Sequence, residues 1–419
     1  MKVIYLLAFF VALAAADKWA VLLSGSQGYS NYRHQSDVCH MYHVLLDHGI
    51  APEHIITIMA DDIANNPRNP FPGTVYNHPG NNQRNFYEGI VVDYKKEVSA
   101  EVYYAILRGD ADKVKELTGK TEVKTLTSGP TDTVFFYYID HGGTGIVAMP
   151  DDKTYLKADE LQAVLKELYE TKKYSKAVYY MEACESGSMW LGLPTDINLY
   201  ALSSTLPDES SWGTYCPGQE EGHDDTVDGE SIGSCLGEVW SCFWLEQDDE
   251  ADLFTLTLQQ QFDDAKNFTT TSTPLQYGDL SWADTPVGEF IAEKSFKECK
   301  SLERKSASRQ WESRDNNLKF WKHLAQKGDH EAQQEYVKEL ESRKQADEYF
   351  GKLTSKLNTK IDLLMSYPIN HINWKCYGPL VDKYQTTYGF NDYSLKYAHA
   401  LAALCNTING DGHEILNLM

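Results

Sequence analysis

Residues Ala177–Ser188 read AVYYMEACESGS, an apolar run that stops at a cysteine set between two glutamates. Short apolar runs of this kind, rich in β-branched and aromatic residues, are typical of strands buried on both faces of a sheet. Four further runs have the same character: Trp19–Ser24, Ile55–Ala60, Thr133–Asp140 and Leu199–Ser204. The stretch therefore predicts one strand of a buried sheet.

Segments long enough for helices lie between these runs, notably Gln35–His48, Asp93–Arg108 and Lys157–Lys172. Strands that alternate with helices along a chain form mostly parallel sheets with helices on both faces. The sequence therefore predicts an α/β fold whose strands carry their loops to one common edge.

The character of the chain changes after residue 294. Residues 300–317, KSLERKSASRQWESRDNN, are polar and strongly charged, which predicts an exposed linker over residues 295–317. Charge pairs at helical spacing over Asn317–Leu357 and an apolar stripe over Tyr393–Ile408 predict helices without strands. We expect a first domain over residues 17–294 and an all-helical domain over residues 318–419.

The charge and the N-terminus indicate a secretory protein. A formal net charge of −23 disfavours nucleic acid and anionic membranes as partners. Residues 1–16 contain one lysine, then a short apolar core, and end in small residues that suit a cleavage site. This pattern predicts a cleaved signal peptide and no membrane anchor. Asn267 begins a glycosylation acceptor triplet, Asn-Phe-Thr, which suits the same route.

Eight cysteines in a secretory chain predict disulfide bonds. Cys216 and Cys235 flank a polar loop that a bond between them would close. Cys376 and Cys405 lie in the helical region and could staple it in the same way. The sequence leaves the pairing of three others open: Cys39, Cys242 and Cys299.

Ligands of an open α/β sheet bind beyond the carboxyl ends of its strands. Loops that follow the predicted strands deliver six polar side chains to that edge: Asn31, Arg33, His141, Cys184, Ser210 and Ser211. A thiol nucleophile, an imidazole base and nearby backbone N–H groups are the parts that acyl transfer needs. Gly142 and Gly143 would let a ligand approach the backbone closely beside His141. The pattern predicts that His141 and Cys184 act together.

Long motifs resemble the legumain family of caspase-like cysteine proteases, the asparaginyl endopeptidases or vacuolar processing enzymes. The motifs are WAVLLSGSQGYSNYRHQSDVCH, MADDIA, AILRGDADKVK, IDHGGTG, YYMEACESGS and PDESSW. The resemblance covers nearly the whole chain and implies a caspase-like α/β domain followed by a helical C-terminal prodomain. It also implies that Cys184 is the nucleophile, that His141 is the general base, and that Asn31 orients the histidine. The implied oxyanion hole consists of the backbone N–H groups of Cys184 and Gly142.

The same resemblance implies a pocket for an asparagine side chain, built by Arg33, His34, Glu182, Ser210 and Ser211. A carboxamide both accepts and donates hydrogen bonds, so its receptor needs a cation and an anion, which we assign to Arg33 and Glu182. Glu238 stands where the family usually has aspartate. Its extra methylene is expected either to crowd the pocket or to push the carboxylate aside, and in both cases to weaken strict asparagine preference.

These residues imply a cysteine endopeptidase that cuts after asparagine, and less readily after aspartate, through a thioester. We expect an acid-activated zymogen that cuts itself after Asn316 or Asn317. The expected partners are protein and peptide substrates and its own C-terminal prodomain as inhibitor; no cofactor, metal, nucleic acid or membrane anchor is expected. The expected location is the secretory pathway, ending in a lysosome, a vacuole or secretion into an acidic compartment.

Two alternatives stay open at this point. In a peptide asparaginyl ligase or transpeptidase, an amine instead of water would intercept the acyl-enzyme. In a non-catalytic adhesion module, the tripeptide Arg108-Gly109-Asp110 would bind a receptor.

Overall fold

The computed structural model describes residues 16–218, 224–295, 309–407 and 410–419. Its strands are β1 Lys18–Ser24, β2 Ile55–Ile58, β3 Thr133–Ile139, β4 Gly142–Gly143, β5 Ile146–Ala148, β6 Tyr155–Lys157, β7 Lys176–Glu182, β8 Leu199–Ser203, β9 Trp212–Thr214, β10 Thr226–Val227, β11 Glu230–Ser231, β12 Gly237–Glu238, β13 Leu275–Gly278 and β14 Trp311–Glu312. Its helices are α1 Tyr32–Asp47, α2 Ala100–Arg108, α3 Ala111–Thr118, α4 Ala158–Glu170, α5 Val239–Glu250, α6 Leu258–Phe268, α7 Gly288–Ile291, α8 Asn316–Gln326, α9 His330–Lys356, α10 Ile361–Met365, α11 Trp374–Thr387, α12 Tyr397–Thr407 and α13 His413–Leu418.

A six-stranded sheet in the order β13-β8-β7-β3-β1-β2 forms the centre of the first domain. The five strands from β8 to β2 are parallel to their neighbours, and β13 is antiparallel at one edge. Each predicted strand is present, with bounds within two residues of those expected from the sequence. The predicted mostly parallel α/β fold is confirmed, and the carboxyl ends of the five parallel strands share one edge.

The parallel strands are buried on both faces, which explains their continuous apolar sequence. Successive side chains of a strand point to opposite faces. Leu22 and Tyr137 accordingly belong to the core beneath α1, α5 and α6. Leu23 and Tyr138 belong to the core beneath α2, α3 and α4. Helices thus cover both faces of the sheet, as predicted.

One predicted helix begins later than its pattern suggested. The segment Asp93–Arg108 becomes helical only at Ala100, where the hydroxyl of Ser99 caps the helix by accepting a hydrogen bond from the Val102 N–H. Upstream, Tyr94 instead forms an isolated bridge with Ile58. A local capping residue therefore overrides the apolar spacing of the segment.

Helices α9–α13 share an apolar core of their own, whereas Phe320 of α8 belongs to the core beneath α1. The predicted segment Asn317–Leu357 consists of two helices, because Gly328 at φ 90° ends α8 and the carboxylate of Asp329 caps α9. Both suggested disulfides are present, Cys216–Cys235 and Cys376–Cys405.

The prediction of an exposed linker is wrong for its described end, residues 309–317. Trp311 and Glu312 form β14, which pairs antiparallel with β9 of the first domain. Ser313, Arg314 and Asn316 are buried as well. The reason is that Trp311 packs into the apolar core beneath α1 and draws the polar residues after it onto the sheet edge.

Some predictions fall outside the described residues, namely nearly all of the signal peptide, most of the linker and Cys299. Cys39 and Cys242 are buried free thiols. In the part of the chain that the structure describes, no helix is both long and apolar enough to cross a membrane.

Candidate active site

His141 and Cys184 follow adjacent parallel strands and lie side by side. The register of β3 and β7 pairs Ile139 with Glu182, so each of the two residues lies two positions beyond the last pair. A Cβ atom on Gly142 would stand 2.4 Å from the carbonyl oxygen of Cys184, so only glycine fits there. The predicted nucleophile and base are therefore brought together by the sheet itself.

Asn31 holds the imidazole of His141. Asn31 Nδ2 donates to the carbonyl oxygen of Gln27 at 3.0 Å, which directs Asn31 Oδ1 to His141 Nε2 at 2.9 Å. Because that oxygen only accepts, Nε2 carries the hydrogen and Nδ1 keeps the lone pair. Burial drives the pKa of His141 well below its usual range. The imidazole is therefore neutral and has the form of a general base.

Cys184 is buried, and its thiol accepts a hydrogen bond from the backbone N–H of Ser211 at 3.3 Å. Burial raises the pKa of Cys184, while Arg314 and Ser211 act in the opposite direction. The thiol is thus protonated in this state of the chain. Ionisation requires proton transfer to a base when a substrate enters.

The pocket beside Cys184 contains a buried ion pair. Arg33 Nε donates to Glu238 Oε1 at 2.5 Å, and His34 Nε2 lies 3.1 Å from the same oxygen. Burial alone would raise the pKa of Glu238, but Arg33 and His34 outweigh burial and lower the pKa to about 2. Glu238 is therefore ionised, and the pocket holds one fixed cation beside one fixed anion.

The assignment of Glu182 as partner of Arg33 is wrong. Glu182 Oε2 instead accepts hydrogen bonds from Ser241 N and Ser241 Oγ, at 3.1 and 3.0 Å. Burial raises the pKa of Glu182 well above its usual range, and the nearby charge of Glu238 raises it further. Glu182 thus borders the pocket as a neutral acid, and Glu238 supplies the anion.

Residues of the tail occupy this pocket. Ser313 N donates to the carbonyl oxygen of Ser211 at 3.0 Å, which continues the pairing of β14 with β9. The hydroxyl of Ser313 lies 3.0 Å from both Glu238 Oε1 and Ser211 Oγ. Beside it, Ser210 donates to Glu312 at 2.7 Å. The tail therefore lines the pocket as an added strand, in the manner of a bound peptide.

Asn316 places a carboxamide on Arg33. With its amide turned so that the oxygen faces the guanidinium, Asn316 accepts hydrogen bonds from Arg33 Nε at 2.9 Å and Nη1 at 2.7 Å. Asn316 is fully buried, and it is also the first residue of α8. The predicted self-cleavage site is therefore held in a helix, with its side chain against the residue predicted to bind asparagine.

Two further tail residues contact the surroundings of His141 and Cys184, and sequence reasoning did not identify them. Arg314 Nη2 donates to Glu185 Oε1 at 2.7 Å and to the carbonyl oxygen of Gly142 at 3.2 Å. Asp392 Oδ2 lies 3.3 Å from His141 Nε2. Both contacts join residues far apart in the chain, so the sequence around Arg314 and Asp392 does not predict them. The one local sign that the linker contacts the sheet is Trp311, a single apolar residue in a polar stretch.

The remaining predicted sites lie away from this edge. Asn267 is exposed near the end of α6, where a glycan has room. Arg108 forms an ion pair with Glu167, and the side chain of Asp110 caps α3. These local roles account for the Arg-Gly-Asp tripeptide.

A buried thiol and an oriented neutral imidazole, at the carboxyl edge of a mostly parallel sheet, are the parts of a cysteine peptidase. The model of the Peptidase C13 family matches residues 18–342. The chain belongs to this family, and it is a cysteine endopeptidase.

Curated relatives agree with this assignment. The chain is similar to a hemoglobinase of Schistosoma japonicum, with 46% identity over 65% of this chain and 60% of that protein. It is also similar to a legumain of Mus musculus, with 44% identity over 65% of this chain and 58% of that protein. A vacuolar-processing enzyme of Citrus sinensis is 35% identical over 96% of this chain and 83% of its own length. The match thus spans less than two thirds of the first two relatives and most of the third.

Among solved structures, caspase-1 from Spodoptera frugiperda matches 68% of this chain and 92% of its own, with a TM-score of 0.34 and 11% identity. That likeness is too low to support an inference, and the fold assignment rests on the order and register of the strands.

Proposed function

We propose that this peptidase hydrolyses peptide bonds after asparagine, and less readily after aspartate. One observation carries the proposal: the carboxamide of Asn316 rests on the guanidinium of Arg33, beside an ionised Glu238. A substrate asparagine would place its oxygen on Arg33 and its NH₂ group on Glu238. A substrate aspartate would meet the Glu238 carboxylate and be repelled.

The catalytic groups support hydrolysis through a thioester. The Cys184 thiol gives its proton to His141 Nδ1, and the sulfur attacks the carbonyl carbon of the asparagine residue. The backbone N–H groups of Cys184 and Gly142 are the proposed donors to the oxyanion. His141 then protonates the leaving amine as the C–N bond breaks, and water, deprotonated by His141, hydrolyses the thioester. Asn31 keeps Nδ1 as the acceptor throughout.

We also propose that the chain is a zymogen, inhibited by its own tail. Ser313 and Asn316 fill the pocket, Arg314 lies over the turn that carries Cys184, and Asp392 contacts His141. The bond after Asn316 lies in the first turn of α8, so it must leave the helix before a protease can cut it. Activation after Asn316 or Asn317 therefore follows release of the tail and is expected between molecules.

Peptides that differ only in Asn, Asp or Gln test the specificity, with and without an added amine, at acid pH. Hydrolysis that is fast for the Asn peptide and slower for the Asp peptide supports the proposal, whereas a joined product would support a ligase. Mass spectrometry after acidification tests activation. Purified Cys184→Ser and the double variant Asn316→Gln/Asn317→Gln should stay intact while the wild type is cut at this site. Cleavage of Cys184→Ser at the same bond would overturn self-activation.

The proposed location is a lysosome or vacuole reached by the secretory route. Relatives named legumain and vacuolar-processing enzyme, together with two disulfides, support it.

A further inference from the structure

His34, Asp140 and His141 form a compact group of metal-ligand types beside the catalytic pair. One ligand atom of each lies within 4.8 Å of the other two, and all three residues are buried. Within the described ranges 16–218, 224–295, 309–407 and 410–419, this is the one group of three such residues. It lies on two sequence segments that the sheet edge brings together: α1, which carries His34, and the two residues that follow β3.

Two of its members have buried polar atoms without a hydrogen-bond partner among the described residues. Both carboxylate oxygens of Asp140 lack a hydrogen-bond donor, and Nδ1 of His141 lacks a hydrogen-bond partner. Nδ1 of His34 lies 3.2 Å from Asp140 Oδ1. A carboxylate buried without donors carries a large desolvation cost. The Asp140 side chain therefore has unused binding capacity directed into the group.

The second nitrogens of both histidines are already anchored. Nε2 of His34 lies 3.1 Å from Glu238 Oε1, and Nε2 of His141 lies 2.9 Å from Asn31 Oδ1. In metal sites a ligating histidine usually donates its other ring N–H to such an oxygen, which fixes the ring and leaves a lone pair for the metal. Nδ1 of His141 has no partner among the described residues, whereas Nδ1 of His34 contacts Ser26 Oγ at 2.7 Å and Asp140 Oδ1 at 3.2 Å, so a bound ion would replace the contact with Ser26.

A cavity of about 400 Å³ leads to the group and is rich in carboxylates. Its acidic lining residues are Asp140, Asp152, Glu335 and Asp392, and Asp152 is exposed to solvent. The pKa of Asp152 is raised by partial burial and then by the charges of Asp392 and Asp140. Four carboxylates around one cavity attract cations, and a bound divalent ion would relieve their repulsion.

We propose that His34 Nδ1, Asp140 and His141 Nδ1 bind a divalent transition-metal ion of the zinc class. Two imidazoles and one carboxylate suit zinc, cobalt, nickel or copper, whereas magnesium and calcium prefer oxygen ligands alone. The ion takes the Nδ1 lone pair of His141. If the proposed function holds, that lone pair is the proton acceptor for Cys184, so a bound ion inhibits catalysis reversibly. The site itself does not depend on that function.

The test uses the metal-stripped full-length Cys184→Ser chain, which cannot cut itself and offers no catalytic thiol to the ion. Isothermal titration with Zn²⁺ near neutral pH should show one site per chain, and Mg²⁺ should not compete. Co²⁺ in the same chain should develop the visible absorption of a low-symmetry nitrogen and oxygen site. Failure of the Asn-peptide assay would overturn the proposed function and leave this binding result unaffected.

Asp140→Asn in that background should weaken Zn²⁺ binding by at least about 100-fold, since it removes a charged ligand. Asp152→Asn is the matched control, because Asp152 lines the same cavity without belonging to the group; it should retain affinity within about fivefold, as expected for a screened surface charge. His34→Gln provides a second ligand variant if Asp140→Asn fails to fold. Equal affinity in the ligand variants and the control, or no saturable Zn²⁺ site, would overturn the proposal.

Discussion

Arg314 is the residue whose loss should most weaken the tail's hold on the active site. Its guanidinium and the carboxylate of Glu185 are both buried, 2.7 Å apart, and Arg314 also donates to Gly142. Arg314→Met keeps much of the side-chain volume and leaves Glu185 buried without its cation. Breaking a buried pair costs about 3–5 kcal/mol. The low end applies here, since burial already raises the pKa of Glu185 and Thr144 still donates to it at 2.8 Å.

A cost of about 3 kcal/mol corresponds to roughly a 100-fold weaker docking equilibrium. Hydrogen exchange of the amides of β14 and α8, in full-length Cys184→Ser near neutral pH, measures that equilibrium. Arg314→Met should lower their protection by about 100-fold, again from the 3 kcal/mol cost of the broken pair. Adding Glu185→Gln should recover part of the loss, because no uncompensated charge then remains.

Arg68 is the matched control, because it also joins the first domain to the tail. It pairs with Asp329 and Glu331 at 2.6 and 2.9 Å, but the side chains of Arg68, Asp329 and Glu331 keep 24%, 29% and 74% of their surface exposed. Such pairs contribute about 0–1 kcal/mol, so Arg68→Met should change protection by less than about fivefold. Equal losses in the two variants, or no loss in Arg314→Met, would refute the reasoning from burial.

Cys184→Ser and His141→Ala should each lower kcat/KM for an Asn peptide by at least about 10³-fold, and circular dichroism should show that the fold is retained. Cys39→Ala removes another buried thiol and should leave kcat/KM unchanged. Arg33→Ala should abolish cleavage of the Asn peptide. It should also lower the free energy of unfolding by about 3–5 kcal/mol, because Glu238 is then a buried unpaired anion. Denaturant unfolding of the inactive variant measures this loss. Glu238→Asp should raise the Asn-to-Asp ratio of kcat/KM, since the shorter side chain frees room in the pocket; an unchanged ratio would show that residue 238 does not set specificity. Docking of the tail should weaken as pH falls below about 6.5, the ordinary pKa of histidine, because the docked state keeps His141 neutral; hydrogen exchange at several pH values follows it.

Burial on both faces is what made the sheet predictable from sequence. The parallel strands read as continuous apolar runs, whereas the edge strand β13 has only half-buried residues and gave no such signal. His141 and Cys184 were predictable for the same reason, since each follows a recognisable strand. The ion pair of Arg33 with Glu238 was not predictable in this way. Alternation along β7 places Glu182 on the side of Cys184, but it cannot reveal that the first turn of α5 offers Ser241 to it.

Contacts made by the tail lay beyond sequence reasoning, because they depend on how a second domain docks. Ser313, Arg314 and Asp392 reach the site from positions more than 100 residues after Cys184. The local sequence predicted a polar linker there, and its single tryptophan did not indicate which surface it would pack against. The packing of Trp311 into the first domain's core then determines which polar residues meet the pocket.

Protonation of the carboxylates buried between the tail and the active site would favour docking of the tail and not its release. Burial raises the pKa of Glu185 and Asp392 in the docked state. Such groups stabilise the docked tail at low pH, and this contribution is lost as the pH rises through their raised pKa. His141 behaves in the reverse way, because burial lowers its pKa. Its contribution is present above its ordinary pKa and is lost as pH falls below about 6.5. Undocking removes Asn317, Trp321 and Asp392 from the wall of its cavity and hydrates the ring. Protonation of His141, the proposed general base, therefore favours release of the tail.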